Sequence, residues 1–209
     1  MLKLSYLTSY LTCPRLCYYR ISGGEEVYTE KQAVRDIYIS LRMGFDENWA
    51  RKRAEARGGF REDVFNSALS KFKMSDEVRA LKPSDWEVVV VCEKLDLTLT
   101  IDEIADDKPL FVSLKAPKEG VWFADAVRVA AASLCSGSGS GFVYYAYDAQ
   151  LRRCEVTFPL RRSLVKLVER VKRVEKGFLP EKRVSRYCEV CAYAELCNSQ
   201  PETFASKFL

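Results

Sequence analysis

Apolar residues in the first third of the chain recur at helical spacing. The opening segment reads as a helix with Ser5 as its N-cap, and Pro14 sits where a first-turn proline starts a second short helix through Tyr19. Gly23-Gly24 breaks that run. Residues 29–57 are helical again, interrupted near Gly44 and ended by Gly58-Gly59. A further amphipathic helix is predicted over residues 61–73, with Val64, Phe65, Ala68, Leu69 and Phe72 on one face.

The period changes at Trp86. Residues 86–93 form a β-branched run, and in 95–104 Leu95, Leu97, Leu99 and Ile101 alternate with polar neighbours, which predicts two antiparallel strands. Asp106-Asp107 makes a turn before a third strand at 110–114. An Ala-rich helix follows over 121–134, small enough in side chain to lie close on a sheet. After a Ser/Gly turn at 136–141, strands at 141–147 and 153–158 precede a helix at 161–176 whose apolar stripe is Leu164, Leu167, Val168, Val171 and Val174. The order predicts an α/β (α+β) fold with a mixed sheet flanked by helices. The expected organisation is an N-terminal helical region (1–80), a core (81–180) and a cysteine-bearing tail (181–209).

Composition narrows the chemistry. At 209 residues, 48% apolar and 30% charged, the chain has about one domain's worth of core. It has no run of 18 apolar residues, so no membrane partner is expected, and no secretory h-region follows Met1, so a cytoplasmic location is expected. There is no histidine, which excludes Ser-His-Asp and Cys-His catalysis and every histidine-ligated metal. The net charge of +4 is uneven: residues 151–187 hold twelve Lys/Arg against four Asp/Glu. The basic helix there offers Arg161, Arg162, Lys166, Arg170 and Arg173 as a surface for DNA phosphates. Only six Asn and Gln occur, a bias that fits thermophile proteins.

The eight cysteines are unevenly placed. In a reducing compartment clustered cysteines read as metal ligands, with disulfides as the alternative. Cys188, Cys191 and Cys197 form a C-x2-C-x5-C tail that lacks a fourth ligand; the obvious donor is Cys13, with Cys17 in reserve. Zinc and an iron–sulfur cluster both take four thiolates. Cys92, Cys135 and Cys154 read as small buried core residues.

Two segments carry a family resemblance: Tyr10-Leu-Thr-Cys13-Pro14-Arg15-Leu-Cys-Tyr18-Tyr19, and Cys188-x2-Cys191-Ala-Tyr-Ala-Glu-Leu-Cys197. With Ile101-Asp102-Glu103-Ile104, Ser113-Leu114-Lys115 and Gly177-Phe-Leu-Pro180 between them, the chain resembles the Cas-four proteins of CRISPR adaptation. These are RecB-like PD-(D/E)xK nucleases carrying a four-iron four-sulfur cluster. The resemblance implies a restriction-endonuclease-like core, cluster ligands at Cys13, Cys188, Cys191 and Cys197, and catalytic residues Asp102 and Lys115. It also implies Mg²⁺ or Mn²⁺ held by Asp102, with Asp36 near the place of the family's metal-binding histidine. Its partners would be single-stranded DNA ends of spacer precursors and the CRISPR integrase subunits.

The departures cluster at the site. Ser113 stands where the family has a carboxylate, and Arg128 and Ala132 stand where it has Gln and Tyr. Several losses together imply an impaired nuclease, with an inactive DNA-end or integrase-binding scaffold as the alternative. A zinc-stapled binding module is the third reading.

Overall fold

A computed structural model describes residues 1–23 and 28–199. The chain opens with a two-residue strand β1 (Leu2–Lys3), then helices α1 (Leu4–Thr12) and α2 (Pro14–Ile21). Helices α3 (Glu30–Arg42), α4 (Glu47–Glu55), α5 (Glu62–Lys71) and α6 (Asp76–Ala80) follow. Strands β2 (Pro83–Cys92), β3 (Leu97–Ala105) and β4 (Lys108–Ser113) lead to helix α7 (Phe123–Ser136). Strands β5 (Ser140–Tyr145) and β6 (Gln150–Glu155) precede α8 (Phe158–Glu175). The tail holds a 3₁₀ turn (Arg186–Val190) and α9 (Ala194–Ser199).

Local chemistry explains most of these starts and stops. Thr29 caps α3 with a reciprocal box, its hydroxyl accepting from Gln32 N while Gln32 Oε1 accepts from Thr29 N. Asp46 caps α4 by accepting from Trp49 N at 2.8 Å. Leu4 rather than Ser5 begins α1, because Leu2 and Lys3 are drawn into the sheet beside Leu97 and Thr98. Neither β1 nor α6 is legible from periodicity, being two and five residues long.

The six-stranded sheet is mixed, and β3 is its trunk. Strand β2 runs antiparallel along one side of it. On the other side β1 pairs parallel at Leu97 and Thr98, and β4 pairs antiparallel at Glu103, Ile104 and Ala105. Residues 99–102 therefore lie between two diverging partners, and the sheet forks there. Strand β4 pairs parallel with β5 across the α7 connection, and β6 closes that edge antiparallel. One core joins this sheet to α1, α2, α7 and α8; a second joins its other face to α3, α4 and α5. Close packing of α7 rests on small residues. A Cβ on Gly141 would meet Pro109 O at 2.6 Å and Val129 Cγ1 at 2.9 Å.

One cysteine expectation is corrected. Cys92, at the end of β2, and Cys135, in the last turn of α7, are joined as a disulfide instead of packing as separate thiols. Strand end and helix end lie side by side, with Cα atoms 5.6 Å apart, within the span a disulfide bridges. Cys154 is the buried core thiol expected, its ionisation pushed up to about 11 by burial.

Candidate functional site

Two constellations stand out, one at the joined chain ends and one in the fork. At the first, Cys13 takes an extended backbone between α1 and α2, which turns it out of both helices. The 3₁₀ turn presents Cys188, Cys191 follows it directly, and α9 presents Cys197. All four line one cavity of about 220 Å³, together with Arg15, Tyr19, Tyr187 and Tyr193. Cys17 does not line it. That thiol is buried in the apolar core, and burial holds its pKa up to about 12, with Arg20 pulling weakly the other way.

Two polar groups point at these sulfurs. Arg15 is 2% exposed; its Nη1 lies 3.7 Å from Cys197 Sγ and donates to Cys197 O at 3.2 Å. Its Nε donates to Pro180 O at 3.0 Å. Ser185 N donates to Cys188 Sγ at 3.4 Å. Donors of this kind stabilise thiolates and tune whatever they hold. Sequence reading passed over Arg15, although it lies inside the Cys13-Pro14-Arg15 motif. Among the described residues, no three Cys, Asp or Glu side chains close on one point at single-ion spacing. The four thiols share that cavity as lining residues.

In the fork, Asp102 is 2% exposed on β3. Its Oδ2 accepts from Val112 N at 2.8 Å, bridging the strands where their ladder ends. The same oxygen accepts from Arg128 Nη2 at 3.0 Å, and Oδ1 lies 2.6 Å from Arg35 Nε. Arg128 also donates to Val112 O at 3.0 Å and to Asp125 Oδ1 at 3.2 Å, and its guanidinium lies over the Phe111 ring. Asp125 in turn holds Lys31 Nζ at 3.4 Å. Burial pushes the Asp125 carboxyl up, but Lys31 and Arg128 outweigh it and hold it below the usual range.

A second layer of arginines continues outward. Glu87 lies on β2 opposite Asp102, at φ 52° in an otherwise extended strand, a left-handed geometry that non-glycine residues rarely adopt. It takes ion pairs from Arg35, Arg53 and Arg57. Asp36 on α3 is fully buried; its Oδ1 accepts from Arg57 Nε at 2.8 Å and Arg53 Nε at 3.2 Å. Burial still raises its pKa against both guanidinium groups. Glu103 also engages α3, accepting from Tyr38 Oη at 2.6 Å and pairing with Arg42.

The expected site residues thus separate. Asp102 and Asp36 are each engaged by two guanidinium groups and are linked through Glu87. Lys115 lies two residues past β4, is exposed, and does not line the cleft; its carbonyl accepts from Trp122 Nε1 at 2.8 Å. A divalent ion needs carboxylate oxygens turned to a common point. Here Asp102 Oδ2 accepts from Arg128 and Val112 N, and Oδ1 is ion-paired with Arg35, so these residues do not fit such an ion. Arg161, Arg162, Lys166, Arg170 and Arg173 are all exposed on α8, and none is in an ion pair among the described residues. Sequence reading missed Arg35, Glu87 and Asp125, which carry no motif signal of their own.

Lys31 provides a pH handle on the fork. Its side chain is 43% exposed along its length while its ammonium reaches the buried Asp125. Desolvation there, then the charge of Arg128, lowers its pKa to about 8, with Asp125 and Asp102 pulling back. A folded pKa below the unfolded value means the penalty is present below about pH 8 and is relieved as pH rises toward the ordinary lysine range. A ¹⁵N-detected lysine titration is expected to show one midpoint near 8. If every lysine titrates at its ordinary value, the ammonium is not in this cleft.

The forked mixed sheet with helices on both faces is a mixed α/β fold. The structure superposes on that of a candidate exonuclease from Eubacterium rectale with a TM-score of 0.61, at 13% identity, over 96% of this chain and 88% of that one. SSO0001 aligns with a TM-score of 0.40 at 11% identity over 94% of each chain. No protein-family profile matches the chain. Its sequence is 48% identical, over 214 residues and the whole of both chains, to an uncharacterized protein of Archaeoglobus fulgidus, and it belongs to the same family as that protein.

Proposed function

We propose that this chain is a member of the nuclease fold, of the Cas-four type, whose nuclease site holds no divalent ion and which holds single-stranded DNA ends during CRISPR adaptation without cutting them. The observation that carries this reading is the state of Asp102, whose two oxygens are taken by Arg35, Arg128 and Val112 N. Metal-dependent hydrolysis needs that carboxylate to hold the ion that activates water. A guanidinium supplies fixed positive charge but no open coordination position. The exposed cations of α8 are its phosphate surface, acting without sequence preference and weakening with salt. Its partners would be DNA and the integrase subunits, in the cytoplasm.

At the joined ends, Cys13, Cys188, Cys191 and Cys197 would hold a four-iron four-sulfur cluster. Its role here is structural, closing the first helices onto the tail. The resemblance favours a cluster over zinc; four thiolates suit either.

A second reading, retained cleavage with Asp102, Lys115 and Asp36 around Mg²⁺ or Mn²⁺, has one observation in its favour. Asp36 Oδ2 has no hydrogen-bond partner among the described residues. Digestion of end-labelled single-stranded DNA with either ion separates the two. The expected result is salt-dependent binding and no cleavage. Cleavage by wild type that is lost in both Asp102→Ala and Lys115→Ala would establish the second reading instead.

A further inference from the structure

The fork opens into a cleft of about 490 Å³, within the ~300–1,000 Å³ range of small-ligand sites. Among the described residues its charged lining is Lys3, Arg20, Lys31, Arg35 and Arg128 against one carboxylate, Asp102. Counting Asp125 and Glu87, which contact these cations, five positive groups still face three negative ones. The remaining lining is chiefly hydroxyl and amide: Ser5, Thr8, Thr29, Gln32, Thr98 and Thr100. Among the described residues no aromatic ring lines it to stack on a base.

The cations are not equally committed. Arg35 and Arg128 are spent partly on Asp102, which fixes their planes. Arg20 donates to the Ser9 hydroxyl at 2.7 Å and is in no ion pair among the described residues. Lys31 makes one long pair and keeps donors to spare. Fixed guanidinium groups beside two less committed cations, with hydroxyls around them, suit an oxyanion with several acceptor oxygens and two charges.

We infer that this cleft binds a phosphate monoester, held by Arg20, Lys31, Arg35 and Arg128 without any metal ion. The excess of two positive charges matches a dianionic monoester better than the single charge of a diester, and the lack of stacking residues makes recognition independent of the base. Such a group occurs on a strand end and on a free mononucleotide. The strand-end version rests on the DNA-binding reading above; the phosphate site itself does not.

The test uses the full chain in EDTA. Fluorescence anisotropy compares oligonucleotides of one sequence bearing a 5′-phosphate, a 3′-phosphate or hydroxyls only, and thermal shift compares dAMP, inorganic phosphate and deoxyadenosine. One phosphorylated end is expected to bind at least tenfold more tightly than the hydroxyl form. Arg20→Gln, outside the Asp102 and Asp125 contacts, is expected to bring that preference within twofold while the circular dichroism melt is unchanged, and Lys31→Gln, which leaves Asp125 to Arg128, is expected to lower the preference likewise. Stabilisation by dAMP and phosphate with no end preference would keep the site and assign it to free nucleotides. Oligonucleotide binding with no phosphate preference and no shift by dAMP would overturn the inference and leave the DNA reading standing. Absent DNA binding with a dAMP shift does the reverse. A preference that appears only when Mg²⁺ or Mn²⁺ is added overturns the metal-free site.

Discussion

Replacing Cys13 by serine is expected to lower the melting temperature by about 10–20 °C and to release most of the iron from an anaerobic preparation. A cross-link from Cys13 to the tail closes nearly the whole chain, and by loop-entropy arithmetic that restricts the unfolded state by about 5 kcal/mol. For a chain of this size each kcal/mol moves the midpoint by about 2–4 °C. Cys188→Ser and Cys197→Ser should act alike, because all three line the same cavity. Cys17→Ser should leave the iron in place, since that thiol is in the apolar core. A Cys13→Ser protein that keeps both its iron and its melting temperature removes Cys13 from the ligand set.

The second large effect lies in the fork. Arg128→Met keeps the volume but leaves Asp102 with one cation fewer, Asp125 with Lys31 as its remaining cation, and the Val112 carbonyl without its guanidinium donor. Removing one partner of a buried ion pair costs about 3–5 kcal/mol, most of it for the charge left behind. Urea denaturation should show that loss, and adding Asp102→Asn should recover part of it, because the two substitutions act on one contact. An Arg128→Met protein within 1 kcal/mol of wild type would mean that the arginine does not hold the strands at the fork.

Much of the fold was legible because its longer elements carry a clean period. Helices α3, α5, α7 and α8 and strands β2 to β6 fall where the alternation and the 3.6-residue stripes put them, within a few residues. The misses have local causes. Strand β1 exists only because β3 is long enough to take a third partner, and two residues cannot show a period. The disulfide joins a strand end to a helix end whose nearness is tertiary. In the site, Cys188, Cys191 and Cys197 were grouped by their spacing along the chain, while Cys13 came only as the missing fourth donor, with Cys17 in reserve, and from the resemblance. The arginine network was not legible. Arg35, Arg53 and Arg57 look like solvent-facing charges on helices, and Arg128 sits in an Ala-rich run with nothing to mark it. Glu87 is hidden further, since its direction depends on a backbone torsion that composition does not encode.

The contacts of Arg15 also bear on how the protein is made. Its guanidinium is buried, and its partners lie 165 and 182 residues later in the chain. At about 5–20 residues per second of synthesis, that interval is roughly 10–40 s. Throughout it, a charged side chain and the seam of the first two helices stand open on the nascent protein. The chaperone load of this protein should therefore fall on its first twenty residues. The final turn of the tail, not the sheet, is the event that ends it.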